Sequence, residues 1–128
     1  MADWEIVNLR DVDDAAPGAG FDHIQEARFA NGALGTESTG VAYHVLHPGR
    51  GGFAHRHDEA EEVYVVLGGS GRVKLGDEVR ELAPLDAIRV APAVARAFAA
   101  GPDGLQLLAF GPRHPGDGEI LKGDPWAE

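Results

Sequence analysis

The sequence predicts an all-β protein, and two observations carry that prediction. Apolar residues recur with a period near two in short runs, and no window sustains a helical stripe over three turns. Glycine, proline and aspartate separate the runs, as in GGSG at 68–71 and GPDG at 101–104, and these are the residues that tight turns and short hairpin loops require. About ten short strands at this spacing are typical of a sandwich or a closed barrel.

The candidate strands follow one another along the chain with short connections. In order they are 4–9, 24–29, 39–47, 52–57, 61–67, 72–75, 78–82, 86–90, 95–99 and 105–110. Residues 11–20 are acidic, small and turn-forming, so we expect a loop that joins an N-terminal strand to the rest. The tail, 111–128, has little periodicity, but Ile120, Leu121 and Trp126 give it apolar groups to bury against the barrel or a second subunit.

Composition limits the class of protein. A chain of 128 residues is one domain's worth, and the lack of cysteine excludes disulfides, zinc knuckles and thiol nucleophiles. The formal net charge is −10 and the basic residues are scattered, so nucleic acid and anionic membrane surfaces are not expected partners. The first residues, MADWEIVNLRDVDD, contain neither a basic region nor an apolar run, which favours a cytoplasmic protein.

The segment HRHDEAEE at 55–62 is the strongest chemical signal. Residues i and i+2 of a strand point to the same face, so His55 and His57 can present two imidazoles to one metal ion. A carboxylate from the next strand would complete the set of two histidines and one acid that suits non-haem iron and leaves coordination positions open. Alternation along the strand does not decide whether Glu61 or Glu62 points inward.

The spacing resembles the first motif of the cupin family. Gly49 is followed after five residues by His55, after one more by His57, after four by Glu62 and after six by Gly69. The resemblance implies a double-stranded β-helix barrel of about residues 40–110 within a single domain of 1–128, with 1–38 as the N-terminal strand and loop. It also implies a divalent metal (Fe, Mn, Ni or Zn) bound by His55, His57 and Glu62. A homodimer is the common assembly of cupins of this size.

The second motif follows the family through Pro84, Asp86 and Pro92 but then departs from it. Arg96 stands where metal-binding cupins have a histidine, and Leu85 replaces the usual glycine. An arginine cannot bind a metal, because its guanidinium stays protonated. Three interpretations remain open for Arg96: an ion pair with Glu62 in a metal-free barrel, a bidentate contact to an anionic substrate beside a three-ligand metal, or an outward position in a strand shifted by one residue.

Other polar and aromatic residues are candidates for the wall of a binding pocket. His44 and His47 have opposite parity on their strand, so at most one points inward, and His44 could supply an extra ligand or a proton-transfer group. Tyr64 and Phe98 are expected in the core or the pocket wall. Gln106 either reaches a polar pocket or lies on the exposed face.

Two functional hypotheses follow. The first is a small metal-dependent cupin in which Arg96 orients a small anionic molecule, with dioxygenase, isomerase or lyase chemistry by analogy with the family. The second is a metal-free cupin that binds a small molecule or assists assembly, with Arg96 and Glu62 locked together.

Overall fold

The computed structural model describes residues 3–127, so residues 1, 2 and 128 of the predicted domain lie outside the described range. Eight strands form one curled sheet, and 49% strand against 9% helix confirms the all-β prediction and the double-stranded β-helix. The strands are β1 (Gln25–Phe29), β2 (Thr39–Leu46), β3 (His55–His57), β4 (Glu62–Leu75), β5 (Glu78–Leu82), β6 (Ala87–Val90), β7 (Arg96–Pro112) and β8 (Gly118–Ile120).

Two long strands, β4 and β7, connect the two walls of the barrel. Their halves 62–69 and 105–112 pair with each other and with β6 and β2, and β1 lies beyond β2. Their other halves pair with each other and with β5 and β3, and β8 lies beyond β3. The barrel core therefore lies between a wall ordered β1-β2-β7-β4-β6 and a wall ordered β8-β3-β7-β4-β5.

The predicted turn at 68–71 is wrong, because this segment lies inside β4. Irregularities in the β4–β7 register occur between Val66 and Gly68 and between Gly69 and Gly71, where the strand passes from one wall to the other. Side chains do not fit here: a Cβ on Gly71 would collide with the carbonyl of Ala99, and Gly69 has a φ of 81°. The GPDG segment 101–104 likewise interrupts the ladder within β7 without ending the strand.

The N-terminal strand predicted at 4–9 is also wrong. Trp4 and Ile6 alternate correctly but are 72% and 79% exposed and pair with no strand among the described residues, and a 3₁₀ turn follows at Leu9–Asp11. The predicted loop 11–20 contains a short helix, α1 (Ala16–Ala19), and a second one, α2 (Asn31–Leu34), follows β1. A carboxylate oxygen of Asp14 accepts hydrogen bonds from the backbone of Ala16 and Ala27 and attaches this region to β1.

The C-terminal tail packs on the barrel. Strand β8 pairs with β3, and the amide of Leu121 donates to the carbonyl of Ala54 at 2.9 Å. Further along, the indole of Trp126 donates to the carbonyl of Gly52 at 3.0 Å, and the guanidinium of Arg72 lies 4.9 Å from the indole ring centre. The tail thus covers the strand that carries both histidines of the HRH segment.

The core is built from inward residues of both walls. Its buried members are Ala42, Leu46, Tyr64, Val66, Val73, Leu82, Val90, Phe98, Ala100, Leu105, Leu107 and Ala109. Most lie on β2, β4 and β7, so the strands that form the core also form the lining of the cavity described below. Within residues 3–127, no helix is long and apolar enough to cross a membrane.

Candidate metal centre and cavity

Strand β3 and the start of β4 bring His55, His57 and Glu62 together. The two imidazoles lie on one face with ring centres 5.3 Å apart. Oε1 of Glu62 lies 2.9 Å from Nε2 of His57 and 3.5 Å from Nε2 of His55. One nitrogen or oxygen atom from each residue lies within 4.8 Å of the other two. Glu62 is therefore the inward carboxylate, whereas Glu61 is exposed and lies 3.4 Å from Arg89.

The donor set fits a divalent transition metal. Ligand atoms about 2.1 Å from an ion and at right angles to one another are roughly 3 Å apart, which is close to the two separations from Glu62. Nε2 of His57 is buried and, despite its 2.9 Å distance from Glu62, makes no hydrogen bond of acceptable angle. An imidazole nitrogen that makes no hydrogen bond to the carboxylate keeps its lone pair free to bind a metal.

Asp117 lies next to His57 of the cluster formed by His55, His57 and Glu62. The sequence analysis did not predict this position. Its Oδ2 lies 3.3 Å from Nδ1 of His57 without making a hydrogen bond to it, and its oxygens accept hydrogen bonds from the amides of Asp58, Glu59 and Ala60. Burial raises the pKa of Asp117, but the amide hydrogen bonds and the nearby His57 outweigh it and lower the pKa. A carboxylate in this position orients a ligating histidine and increases its basicity.

Glu62 is ionised at any pH near neutrality. Burial raises its pKa, but hydrogen bonds from His55 and Tyr64 and the charge of His57 outweigh burial and lower the pKa to about 2. The hydroxyl of Tyr64 donates to Oε1 at 2.5 Å, and burial and the charge of Glu62 raise the pKa of Tyr64 well above 10. Tyr64 is therefore a permanent donor to this carboxylate.

Arg96 lies behind Glu62 and is completely buried. Its guanidinium donates to Oε1 of Glu62 at 3.3 Å and to the carbonyls of Ala91 and Pro92 at 2.9 and 3.4 Å. The outward-facing interpretation is therefore wrong. The bidentate contact between Arg96 and an anionic substrate is not supported either. Arg96 does not line the main cavity, and its guanidinium contacts Glu62.

A cavity of about 520 Å³ opens beside the cluster. Its lining is largely apolar and includes Tyr64 and Phe98, whose rings pack at 4.8 Å, as well as His44. Gln106 lies outside it, because its amide oxygen accepts a hydrogen bond from the hydroxyl of Tyr43 at 3.0 Å. Of the two histidines, His44 on β2 faces the cavity, whereas His47 follows the end of β2 and its ring lies 2.9 Å from the carbonyl of Asp22.

Comparison with known proteins identifies the class. The family model described as "Cupin domain" matches residues 42–110, more than half of the chain. The chain therefore belongs to the cupin family, as its first motif indicates.

Solved structures share the fold at low identity. A cupin protein from Bacteroides fragilis is 22% identical with a TM-score of 0.70, covering 96% of this chain and 92% of that chain. The polyketide cyclase RemF from Streptomyces resistomycificus is 21% identical with a TM-score of 0.77, covering 98% and 91%. Oxalate decarboxylase from Bacillus subtilis is 19% identical with a TM-score of 0.74, but the 90% of this chain that aligns corresponds to 31% of the decarboxylase. No curated protein matches the sequence.

Proposed function

We propose that this cupin binds one divalent transition metal through His55, His57 and Glu62 and acts on a small molecule in the adjacent cavity. The observation that carries the proposal is the convergence of three donors, one of them the buried and unbonded Nε2 of His57, beside the cavity. A metal bound there would supply a Lewis acid for a substrate oxygen. Cyclase and decarboxylase structures share this fold, so the reaction class stays open among dioxygenase, isomerase and lyase chemistry.

The residues of the chain have distinct parts in this proposal. Tyr64 and Arg96 both donate to Oε1 of Glu62 and hold the carboxylate in one orientation. Asp117 orients His57. The largely apolar lining favours a ligand with an apolar body and an oxygen that reaches the cluster, rather than the small anionic molecule that the sequence analysis expected Arg96 to orient.

Metal analysis tests the proposal. Protein purified without an affinity tag and reconstituted with Fe(II), Mn(II), Ni(II) or Zn(II) should retain about one equivalent of at least one of these metals by plasma mass spectrometry. His57→Ala should abolish that retention. His23→Ala is the matched control, because His23 is exposed and does not line the cavity, so it should leave the metal content unchanged.

The second candidate is a metal-free binding module. It is favoured by the contact between Arg96 and Glu62, which already supplies a positive partner for the carboxylate. Less than roughly a tenth of an equivalent of every metal after reconstitution would support it over the metal-dependent cupin.

The expected cytoplasmic location and homodimer remain part of the proposal. Exposed Trp4 and Ile6 near the N-terminus offer apolar surface that a second subunit could cover. Cell fractionation tests the location. Light scattering on the purified protein should give twice the chain mass if the homodimer is correct.

A further inference from the structure

We propose that Gln25 and His44 form a hydrogen-bonding subsite that recognises the polar end of a flat, largely apolar molecule in the cavity. The inference rests on the proposed function, because it specifies the class of small molecule that the same cavity takes. Both residues lie outside the cluster of His55, His57 and Glu62. They lie on the wall ordered β1-β2-β7-β4-β6, called the β1–β2 wall below.

The register of β1 and β2 places the two residues side by side. Gln25 lies opposite Leu46 and Ala27 lies opposite His44, so Gln25 and His44 are diagonal neighbours on adjacent strands. Residues two apart on a strand share a face, and both side chains line the cavity. The subsite is therefore formed by strands, which hold side chains more rigidly than loops.

Neither side chain is satisfied within the protein. Gln25 is only 8% exposed and His44 is half-buried. Within residues 3–127 no side-chain hydrogen bond involves the carboxamide of Gln25 or a ring nitrogen of His44, and neither side chain has a fully buried, unpaired polar atom, so their polar atoms are open to the cavity. The comparable residues nearby are satisfied, since Gln106 bonds to Tyr43 and His47 to the carbonyl of Asp22. A carboxamide and an imidazole that face one cavity without a protein partner are free to pair with a ligand there, and they point to a ligand that hydrogen-bonds to both.

His44 is held as a neutral imidazole. Burial, and next the charge of His55, lower its pKa to about 4, although the charge of Glu62 opposes them. Its ring lies edge-on to Phe29, with ring centres 5.7 Å apart and planes at 82°. A neutral imidazole offers one donor and one acceptor, and the carboxamide of Gln25 offers both kinds as well. Together they match a hydroxyl or a carbonyl better than a charged group.

The rest of the lining defines the body of the ligand. Its apolar part, which includes Leu46, Phe53, Phe98, Leu107 and Ala109, offers no side-chain hydrogen-bonding group, although Asn31, Arg113, His114 and Glu119 also line the cavity. In the wall that carries the subsite, β7 separates β2 from β4, so the strands that bear His44 and Glu62 are about 10 Å apart. The arrangement fits a ring system with oxygens at opposite ends, one facing the cluster and the other facing Gln25 and His44.

Three probes of one shape test the subsite: 2,6-dihydroxynaphthalene, 2-naphthol and naphthalene, titrated by fluorescence against the whole chain. The dihydroxy compound should bind the unmodified protein most tightly. Gln25→Met and His44→Leu should each weaken its binding roughly three- to tenfold, the size of a lost hydrogen bond, and leave naphthalene within about twofold. Gln106→Met and His47→Leu are the matched controls and should change neither affinity.

The outcomes separate the subsite from the proposed function. If all three probes bind but Gln25→Met and His44→Leu weaken the dihydroxy compound no more than naphthalene, the subsite is overturned and the cavity remains a binding site. If no probe binds the unmodified protein, the subsite fails together with the small-molecule part of the proposed function, whereas the metal part is judged separately by its own stoichiometry.

Thermal unfolding distinguishes recognition from a structural role. A polar side chain that only a ligand pairs with does not stabilise the ligand-free protein. Gln25→Met and His44→Leu should therefore leave the unfolding midpoint unchanged or raise it. Lower midpoints with unchanged probe selectivity would assign both residues to the fold and overturn the subsite.

Discussion

The two polar regions of the cavity differ in how their groups are satisfied. At the cluster, Glu62 has Tyr64 and Arg96 as donors, and His57 has Asp117 beside its second nitrogen. On the β1–β2 wall, Gln25 and His44 have no such partners within the described residues. At the cluster the protein itself holds the carboxylate in place and leaves the ring nitrogens of His57 without hydrogen bonds, whereas the wall leaves both of its side chains to be paired from outside.

This difference has an energetic consequence. A network of charged and hydrogen-bonded groups depends on every member, so removing one leaves another unpaired in a buried place. A polar side chain that has no protein partner can be removed without leaving another group unpaired. Substitutions should therefore harm stability at the cluster and spare it on the β1–β2 wall.

Replacement of Arg96 should have the largest effect. Arg96→Met removes the buried cation behind Glu62 and should lower the free energy of unfolding of the metal-free protein by about 3 kcal/mol in urea titrations. The matched control is Arg89→Met, because Arg89 forms an exposed pair with Glu61 and should change stability by less than about 0.5 kcal/mol. Equal losses in the two variants would contradict the role of Arg96 as the buried partner of Glu62.

Acid should destabilise the two regions in different pH windows. The pKa of His44 falls from an ordinary 6.5 to about 4 on folding, so its contribution is complete above pH 6.5 and is lost as the pH falls to about 4. The pKa of Glu62 falls from 4.5 to about 2, so its contribution is lost between those values. Each lowering of the pKa by about 2.5 corresponds to at most about 3 to 4 kcal/mol of stability.

The variants His44→Leu and Glu62→Gln separate these windows. Urea titrations between pH 2 and 8 should show a flatter profile from pH 6.5 to 4 in the first variant and from pH 4.5 to 2 in the second. Gln106→Met removes no titrating group and should retain the slope of the unmodified protein in both windows. An unchanged slope above pH 4.5 in His44→Leu would contradict the neutral, buried state of that histidine.

Replacement of Asp117 should affect metal binding more than folding. Asp117→Asn keeps the shape but removes the charge beside Nδ1 of His57, and should weaken metal affinity roughly 10- to 100-fold in competition titrations with a chelator. Asp103→Asn, at an exposed position of the GPDG segment, should leave the affinity unchanged. Equal affinities in both variants would show that Asp117 only anchors the backbone of residues 58–60.

The sequence analysis predicted the parts of this cupin that local spacing encodes. His55, His57 and Glu62 lie within eight residues on consecutive strands, so strand alternation and the family motif bring them together. The all-β class follows equally from alternation. The turn predicted at 68–71 was wrong because glycine serves close approach between strands as well as turns, and only the β4–β7 pairing separates the two uses.

Long-range pairing determines what the sequence could not show. Asp117 reaches His57 only because β8 pairs with β3 across 60 residues of chain, and nothing near Asp117 in the sequence marks it. Gln25 faces the cavity only because β1 adds to the edge of β2. The direction of Arg96 likewise depends on its register with His55. The candidate metal ligands are thus close together in the sequence. The residues that contact them, Asp117 and Arg96, and the cavity residue Gln25 are brought in by long-range strand pairing.

The smallest effect is expected outside both regions, at Leu85. The sequence has leucine where the family has glycine, and Leu85 adopts a φ of 74° while being 81% exposed, so its side chain gains little and its backbone is strained. Leu85→Gly should raise the free energy of unfolding by about 0.5 to 1 kcal/mol, because relief of the strain exceeds the added flexibility of the unfolded chain. The matched control Leu67→Gly, at an exposed position inside β4, should lower it. Because Leu85 lines neither region, both acid windows and the metal affinity should stay unchanged, and a shift in either would show that this turn is coupled to the cavity.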